Sequence, residues 1–103
     1  MDKLLLLITT ESNQISAERI SKLLIENRLA ACVSVKKINS YYQWQGEIKQ
    51  NSEFQLVIKS KPEKLDDLIK VLRKNLSYEI PQLIYQTFDA EINYLNWVRE
   101  ILS

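Results

Sequence analysis

The chain has 103 residues, 46% hydrophobic and 26% charged, which fits one folded domain over 1–103 and excludes a disordered segment. Its 14 basic and 13 acidic residues leave a net charge of +1, so no basic excess serves nucleic acid or an anionic membrane. No histidine and one cysteine exclude imidazole catalysis and an intrachain disulfide, and fit a reducing, cytoplasmic compartment.

Leu4 to Thr9 is a continuous apolar run, too short for a signal core, and reads as a strand buried in the middle of a sheet. Thr10 to Asn13 is a polar loop whose side chains suit a helix cap. A helix is expected from Gln14 to Asn27, with Ile15, Ile20, Leu23 and Leu24 on its buried stripe and Arg28 complementing its negative end.

Ala31 to Lys59 reads as one long β-hairpin turning at Gln45-Gly46, around the only glycine in the chain. That turn sets Val33 opposite Ile58, Val35 opposite Leu56 and Lys37 opposite Phe54 on a face toward the helices. Cys32, Ser34, Ile38, Ser40, Tyr42 and Trp44 then fall on the other face, with Glu47, Lys49, Glu53, Gln55, Val57 and Lys59. An unbroken first arm would reach about 45 Å, against a compact diameter of roughly 35 Å. The hairpin therefore bends or projects, unless Lys36-Lys37 breaks it. A projecting tip carrying Tyr41, Tyr42 and Trp44 is expected to meet a covering surface.

Pro62 opens a helix running to Asn75, with Leu65, Leu68, Ile69 and Leu72 inward, Glu63 at its start and Arg73-Lys74 at its end. Leu76 to Pro81 is a connector. Gln82 to Phe88 is a short strand, and a last helix follows from Asp89 to Leu102 with Tyr94, Trp97, Val98 and Ile101 in helical phase. The order βαββαβ plus a terminal helix is α+β and ferredoxin-like, an antiparallel sheet with helices on one face. Its other face, bearing Ile38, Tyr42 and Trp44, is left for another subunit.

Chemistry-bearing motifs are few. There is no Cys-x-x-Cys and no glycine-rich phosphate loop. Cys32 is either a small buried residue or a soft-metal ligand of the kind copper(I) prefers. Tyr41, Tyr42 and Trp44 read as an interface before a base-stacking platform, since no basic surplus holds a phosphate backbone. Tyr78-Glu79-Ile80-Pro81 is either a proline-stiffened connector or a cleft lining that uses Glu79 and the Tyr78 hydroxyl.

Several segments resemble the CutA divalent-cation tolerance family: Leu29-Ala30-Ala31-Cys32-Val33, Ser40-x-Tyr42-x-Trp44-x-Gly46-x-Ile48, Glu53 with Leu56-x-Ile58-Lys59, Tyr78-Glu79-Ile80-Pro81 and Tyr94-Leu95-x-Trp97. They occur in family order across nearly the whole chain. The resemblance implies a tight, non-enzymatic homotrimer similar to the PII signalling proteins, with a role in divalent metal, especially copper, tolerance. It implies an inter-subunit cleft involving Tyr42, Trp44, Lys59, Tyr78 and Glu79. Cys32 matches the family's metal-linked cysteine and Glu79 is the second metal candidate; Leu76 and Ser77 stand where the family motif has histidine and proline, and Ala90 where it often has glycine. A regulatory trimer that binds a small molecule without metal, and a trimeric scaffold for partner proteins, are the other roles this architecture implies.

Overall fold

The computed structural model describes residues 2–103. The elements follow in the order β1 (Leu4–Glu11), α1 (Gln14–Glu26), β2 (Cys32–Trp44), β3 (Glu47–Ser60), a 3-10 turn (Pro62–Lys64), α2 (Leu65–Asn75), β4 (Ile84–Phe88) and α3 (Ile92–Ile101). All strand pairs are antiparallel and the sheet order is β2-β3-β1-β4, the split-βαβ order, with β1 in the interior as its apolar run requires.

The hairpin register is the expected one, with Val33 opposite Ile58 and Trp44 opposite Glu47. Gln45 and Gly46 both have positive φ, 51° and 81°. Those values define the tight turn whose twist matches a right-twisted hairpin. Neither strand breaks at Lys36-Lys37. β3 pairs with β1 only as far as Phe54, opposite Glu11. Beyond that pair the hairpin projects as a bare two-stranded ribbon. The molecule is accordingly long, 45 × 24 × 22 Å.

Strand alternation divides the sheet. Leu5, Leu7, Leu56 and Ile58 point to one side and close a core with Ala17, Ile20 and Leu24 of α1 and Leu68 and Leu72 of α2. Leu4 points to the other side, where it packs with Leu95, Val98 and Leu102. The added helix α3 therefore covers one end of the face opposite α1 and α2, which corrects the expectation that the helices share one face. The rest of that face is open, and Ile84, Phe88 and Trp44 are exposed on it.

Three sequence expectations shift. Ile15 is 82% exposed rather than buried. At 100° per residue it lies about 140° around the helix from Ile20, outside the stripe made by Ala17, Ile20 and Leu24. In α3 the buried stripe is Leu95, Val98 and Leu102, so Tyr94, Trp97 and Ile101 lie outside the core. Arg28 lies past the end of α1 with φ 55°, where it reverses the chain, and its guanidinium donates to the Ser103 carbonyl at 3.3 Å. It is a terminator rather than a charge in the last turn. The caps are otherwise simple: the Asn13 side chain accepts the Ser16 N–H at 2.8 Å, and Glu91 accepts the Tyr94 N–H.

β1 also runs two residues further than expected. Thr10 and Glu11 are buried strand residues, not loop. Thr9, fully buried on the helix side, has a hydroxyl with no hydrogen-bond partner among the described residues. Thr9→Val keeps the shape and removes the orphaned group. It is expected to stabilise the fold by about 1 kcal/mol, read as a higher urea midpoint with an unchanged slope.

Candidate functional site

A groove of about 510 Å³ opens on the uncovered sheet face and runs along the projecting ribbon from Ile38 at its root to Trp44 beside the turn. Three segments build it. β2 presents Ile38, Tyr42 and Trp44 at alternate positions, all to this face. The register sets Glu53 of β3 opposite Ile38, which brings its carboxylate to the same wall. Tyr78 and Glu79 come from the connector between α2 and β4.

The connector is fixed by a carboxylate that chain order conceals. Glu11, at the end of β1, is fully buried. Its Oε1 accepts the Ser77 N–H at 2.9 Å and its Oε2 accepts the Ser77 hydroxyl at 2.8 Å; the Ser16 hydroxyl also donates to Oε2. Burial alone would raise its pKa. The hydrogen bonds from Ser16, Ser77 and the Ser12 backbone outweigh burial and hold it below the ordinary carboxylate value. Ser77 is suited to this contact because it carries the N–H that a proline lacks. The latch sets the residue immediately before Tyr78, and so the start of the groove wall.

Tyr78 itself is half-buried. Burial pushes its phenol well above the ordinary value, and the neighbouring Glu53 carboxylate, an acceptor for its proton, adds to the rise. Tyr78 is thus a neutral donor throughout the physiological range. The Tyr42 hydroxyl accepts a hydrogen bond from Asn51 across the ribbon, which fixes that ring.

Four of the expected cleft residues, Tyr42, Trp44, Tyr78 and Glu79, line this one groove. The fifth, Lys59, does not, and neither does the metal candidate Cys32. They face each other across β2 and β3 near the other end of the sheet, where Lys59 Nζ lies 2.9 Å from Ser34 Oγ and 3.8 Å from Cys32 Sγ. Tyr94 of α3 belongs to this second group: burial pushes its phenol up, and the Cys32 thiol adds to the shift. Cys32 stands six residues before Ile38 along β2, roughly 20 Å of extended strand from the groove. Sequence reasoning named neither Glu11 nor Glu53 as a site residue. The signal for Glu11 was the alternation Leu5, Leu7, Thr9, carried one step further.

Among the described residues no three His, Cys, Asp or Glu side chains gather closely enough to hold a metal ion. A structural zinc takes four ligands and calcium six or more, so the described residues of one copy gather no such ligand set. No helix among them is long and apolar enough to cross a membrane.

An antiparallel split-βαβ sheet with a projecting ribbon and a helix added to its open face places the chain in the ferredoxin-like α+β class. The profile described as "CutA1 divalent ion tolerance protein" matches residues 5–101. The chain is 36% identical over 98 residues to the divalent-cation tolerance protein CutA of Thermotoga maritima, covering 94% of this chain and 97% of that one. It is 33% identical over 91 residues to the human protein CutA, covering 86% of this chain and 51% of the human one. Among solved structures, CutA from Synechococcus elongatus superposes with a TM-score of 0.95 at 36% identity, covering 100% of this chain and 93% of that one. The chain belongs to the CutA divalent-cation tolerance family.

Proposed function

We propose that this chain works as a non-enzymatic homotrimer in the response to divalent metal, copper foremost, with its ligand clefts between subunits. The observation that carries the assembly is the ribbon. Tyr42 and Trp44 are 41% and 44% exposed on a hairpin that no other strand supports beyond Phe54. An isolated two-stranded hairpin is marginal in water, and so large an aromatic surface favours a partner. The same covering would take in Phe88, Trp97 and Ile101, which lie exposed on or beside the open face.

In such a trimer the groove would be closed by a neighbouring copy, and Lys59 would join it from there. Copper would draw on Cys32 and Glu79 from more than one copy, since the thiolate suits Cu(I). The single free cysteine supports a reducing, cytoplasmic location. A PII-like regulatory trimer that binds a small molecule without metal is the second reading. It is favoured by a groove built mostly of aromatic and neutral side chains.

Native mass spectrometry, first without ligand and then with Cu(I), Cu(II) or Zn(II), tests both. The expected species is a trimer that takes up metal in a fixed ratio, with Cys32→Ser abolishing Cu(I) uptake. A trimer that stays metal-free moves the role to small-molecule regulation or to scaffolding of other proteins. A monomer would overturn the assembly and the shared clefts together.

A further inference from the structure

The connector between α2 and β4 crosses the sheet where β1 stops. Leu76 is buried in the helix-side core, Ser77 is held by Glu11 at the end of β1, and Tyr78, Glu79 and Gln82 line the groove on the open face. Leu83 then packs back against the helix-side core. The segment thus arches over the end of β1, at the place where the hairpin loses its support. Glu11 and Phe54 form the last pair between β1 and β3. Glu53, the next residue out, stands at the base of the ribbon opposite Ile38. The Tyr78 phenol faces the Glu53 carboxylate, an acceptor for its proton, and both side chains line the groove. The helix-side face of the ribbon has no comparable hold, since Tyr41 and Ile48 are 73% and 82% exposed there.

The ribbon is a lever. Trp44 lies six residues beyond Ile38, about 20 Å of extended strand, so a turn of about 10° at the base moves the tip by about 3.5 Å. Packed side-chain contacts are lost over a shift of that size. We infer that Tyr78 is a positioning residue that, through Glu53, fixes the direction of the ribbon before a neighbouring copy arrives. The inference rests on the reading of the ribbon as the arm that reaches that copy. Both partners of the contact belong to one chain, so it is made in the free subunit and lessens the ordering that assembly must impose. Glu11 acts one step further back, because its bonds to the Ser77 N–H and hydroxyl set where the Tyr78 segment begins.

The test uses the full chain in a Cys32→Ser background, with spin labels attached through Ile48→Cys beside the turn and Lys70→Cys on α2. Labelled chains are diluted with unlabelled ones, so that electron-spin distances report within one subunit. Sedimentation equilibrium of the unlabelled variants reads the trimer dissociation. Tyr78→Phe keeps the ring and removes only the hydroxyl. It is expected to broaden the distance distribution and to weaken assembly roughly tenfold. Glu53→Ala should do the same, and Glu53→Gln, which keeps a carbonyl acceptor, should restore most of both. The double variant of Tyr78→Phe with Glu53→Ala should be no worse than either single one, as for two groups that act through one contact. A distribution as narrow as the native one in Tyr78→Phe overturns the proposal, and so do single effects that add. Broadened distances with unchanged trimer dissociation overturn it too. A native chain that stays monomeric overturns the assembly, and broadened distances in that monomer uphold the hold of Tyr78 on the ribbon.

Discussion

Replacing Glu11 with alanine is expected to cost about 3 kcal/mol of stability, measured by urea unfolding at neutral pH and fixed protein concentration. The estimate follows from what the side chain holds. It is fully buried and accepts from Ser16, from the Ser77 N–H and from the Ser77 hydroxyl. Hydrogen bonds to a charged acceptor are worth roughly twice neutral ones, and alanine would also leave a small void beside the core. Glu11→Gln keeps the shape and one carbonyl acceptor, so a smaller loss of about 1 kcal/mol is expected.

The sign of the pH dependence separates charge from shape. The folded state holds the Glu11 carboxyl below its ordinary value of 4.5. The folded state thus binds this proton less readily than the unfolded chain. Its contribution is fully present above the ordinary value and is lost as the pH falls through the lowered folded value. The stability gap between the native chain and Glu11→Gln should therefore narrow as the pH drops below 4.5. A gap constant from pH 7 to acid would mean that the carboxylate is not the charged acceptor described here. Because the latch also sets the Tyr78-Glu79 segment, ligand binding in the groove should weaken in Glu11→Ala even where the protein stays folded.

Excising the ribbon is the second large effect. Ile38 and Glu53 are cross-strand partners, so residues 39–52 can be replaced by Asn-Gly, a pair suited to a two-residue turn. Pairing of β3 with β1 starts at Phe54 and the main core lies beyond it. The shortened chain should fold with a near-native circular dichroism spectrum for its helices. It should run as a monomer in sedimentation, because the aromatic tip that would reach a neighbour is gone. A shortened chain that still assembles would place the subunit contact elsewhere, on β4 or α3. One that fails to fold would show that the ribbon is needed within its own subunit.

Much of this fold was readable from the sequence, and the reasons are specific. The hairpin was legible because its one glycine lies between two β-prone runs, and a two-residue turn fixes every pair from Trp44–Glu47 to Cys32–Lys59. Helix α2 was legible because its apolar residues lie on one stripe and its charges follow the dipole, with Asp66 and Asp67 at the start and Arg73 and Lys74 at the end. Helix α3 was legible as a helix, but its buried face was not, because it is apolar on two sides. Leu95 and Val98 pack inward while Tyr94, Trp97 and Ile101 remain outside, and periodicity cannot rank two apolar faces. The aromatic part of the groove was legible from strand alternation and from the family resemblance. Glu11 was not, since an acid followed by Ser12-Asn13 looks like the entry to a helix. Its partner Ser77 lies 66 residues away, a distance that no local pattern spans. Lys59 was grouped with the cleft by resemblance and Cys32 was named as a metal candidate; in one chain both stand apart from the groove.

The strand order has a consequence for how the molecule is made. β1 is the first strand synthesised, yet its neighbours in the sheet are β3 and β4. The hairpin can form early from local contacts alone, within microseconds. β1 must wait for partners that emerge later, and its pairing with β4 needs nearly the whole chain. Such long loops slow folding. A nascent chain on the ribosome therefore exposes the aromatic β2–β3 segment together with a Leu-rich β1 whose β4 edge is still unpaired, both open to association. Slower elongation after Ser60 would lengthen that exposure, and a chaperone that shields Leu4–Thr9 would protect the intermediate most prone to aggregate.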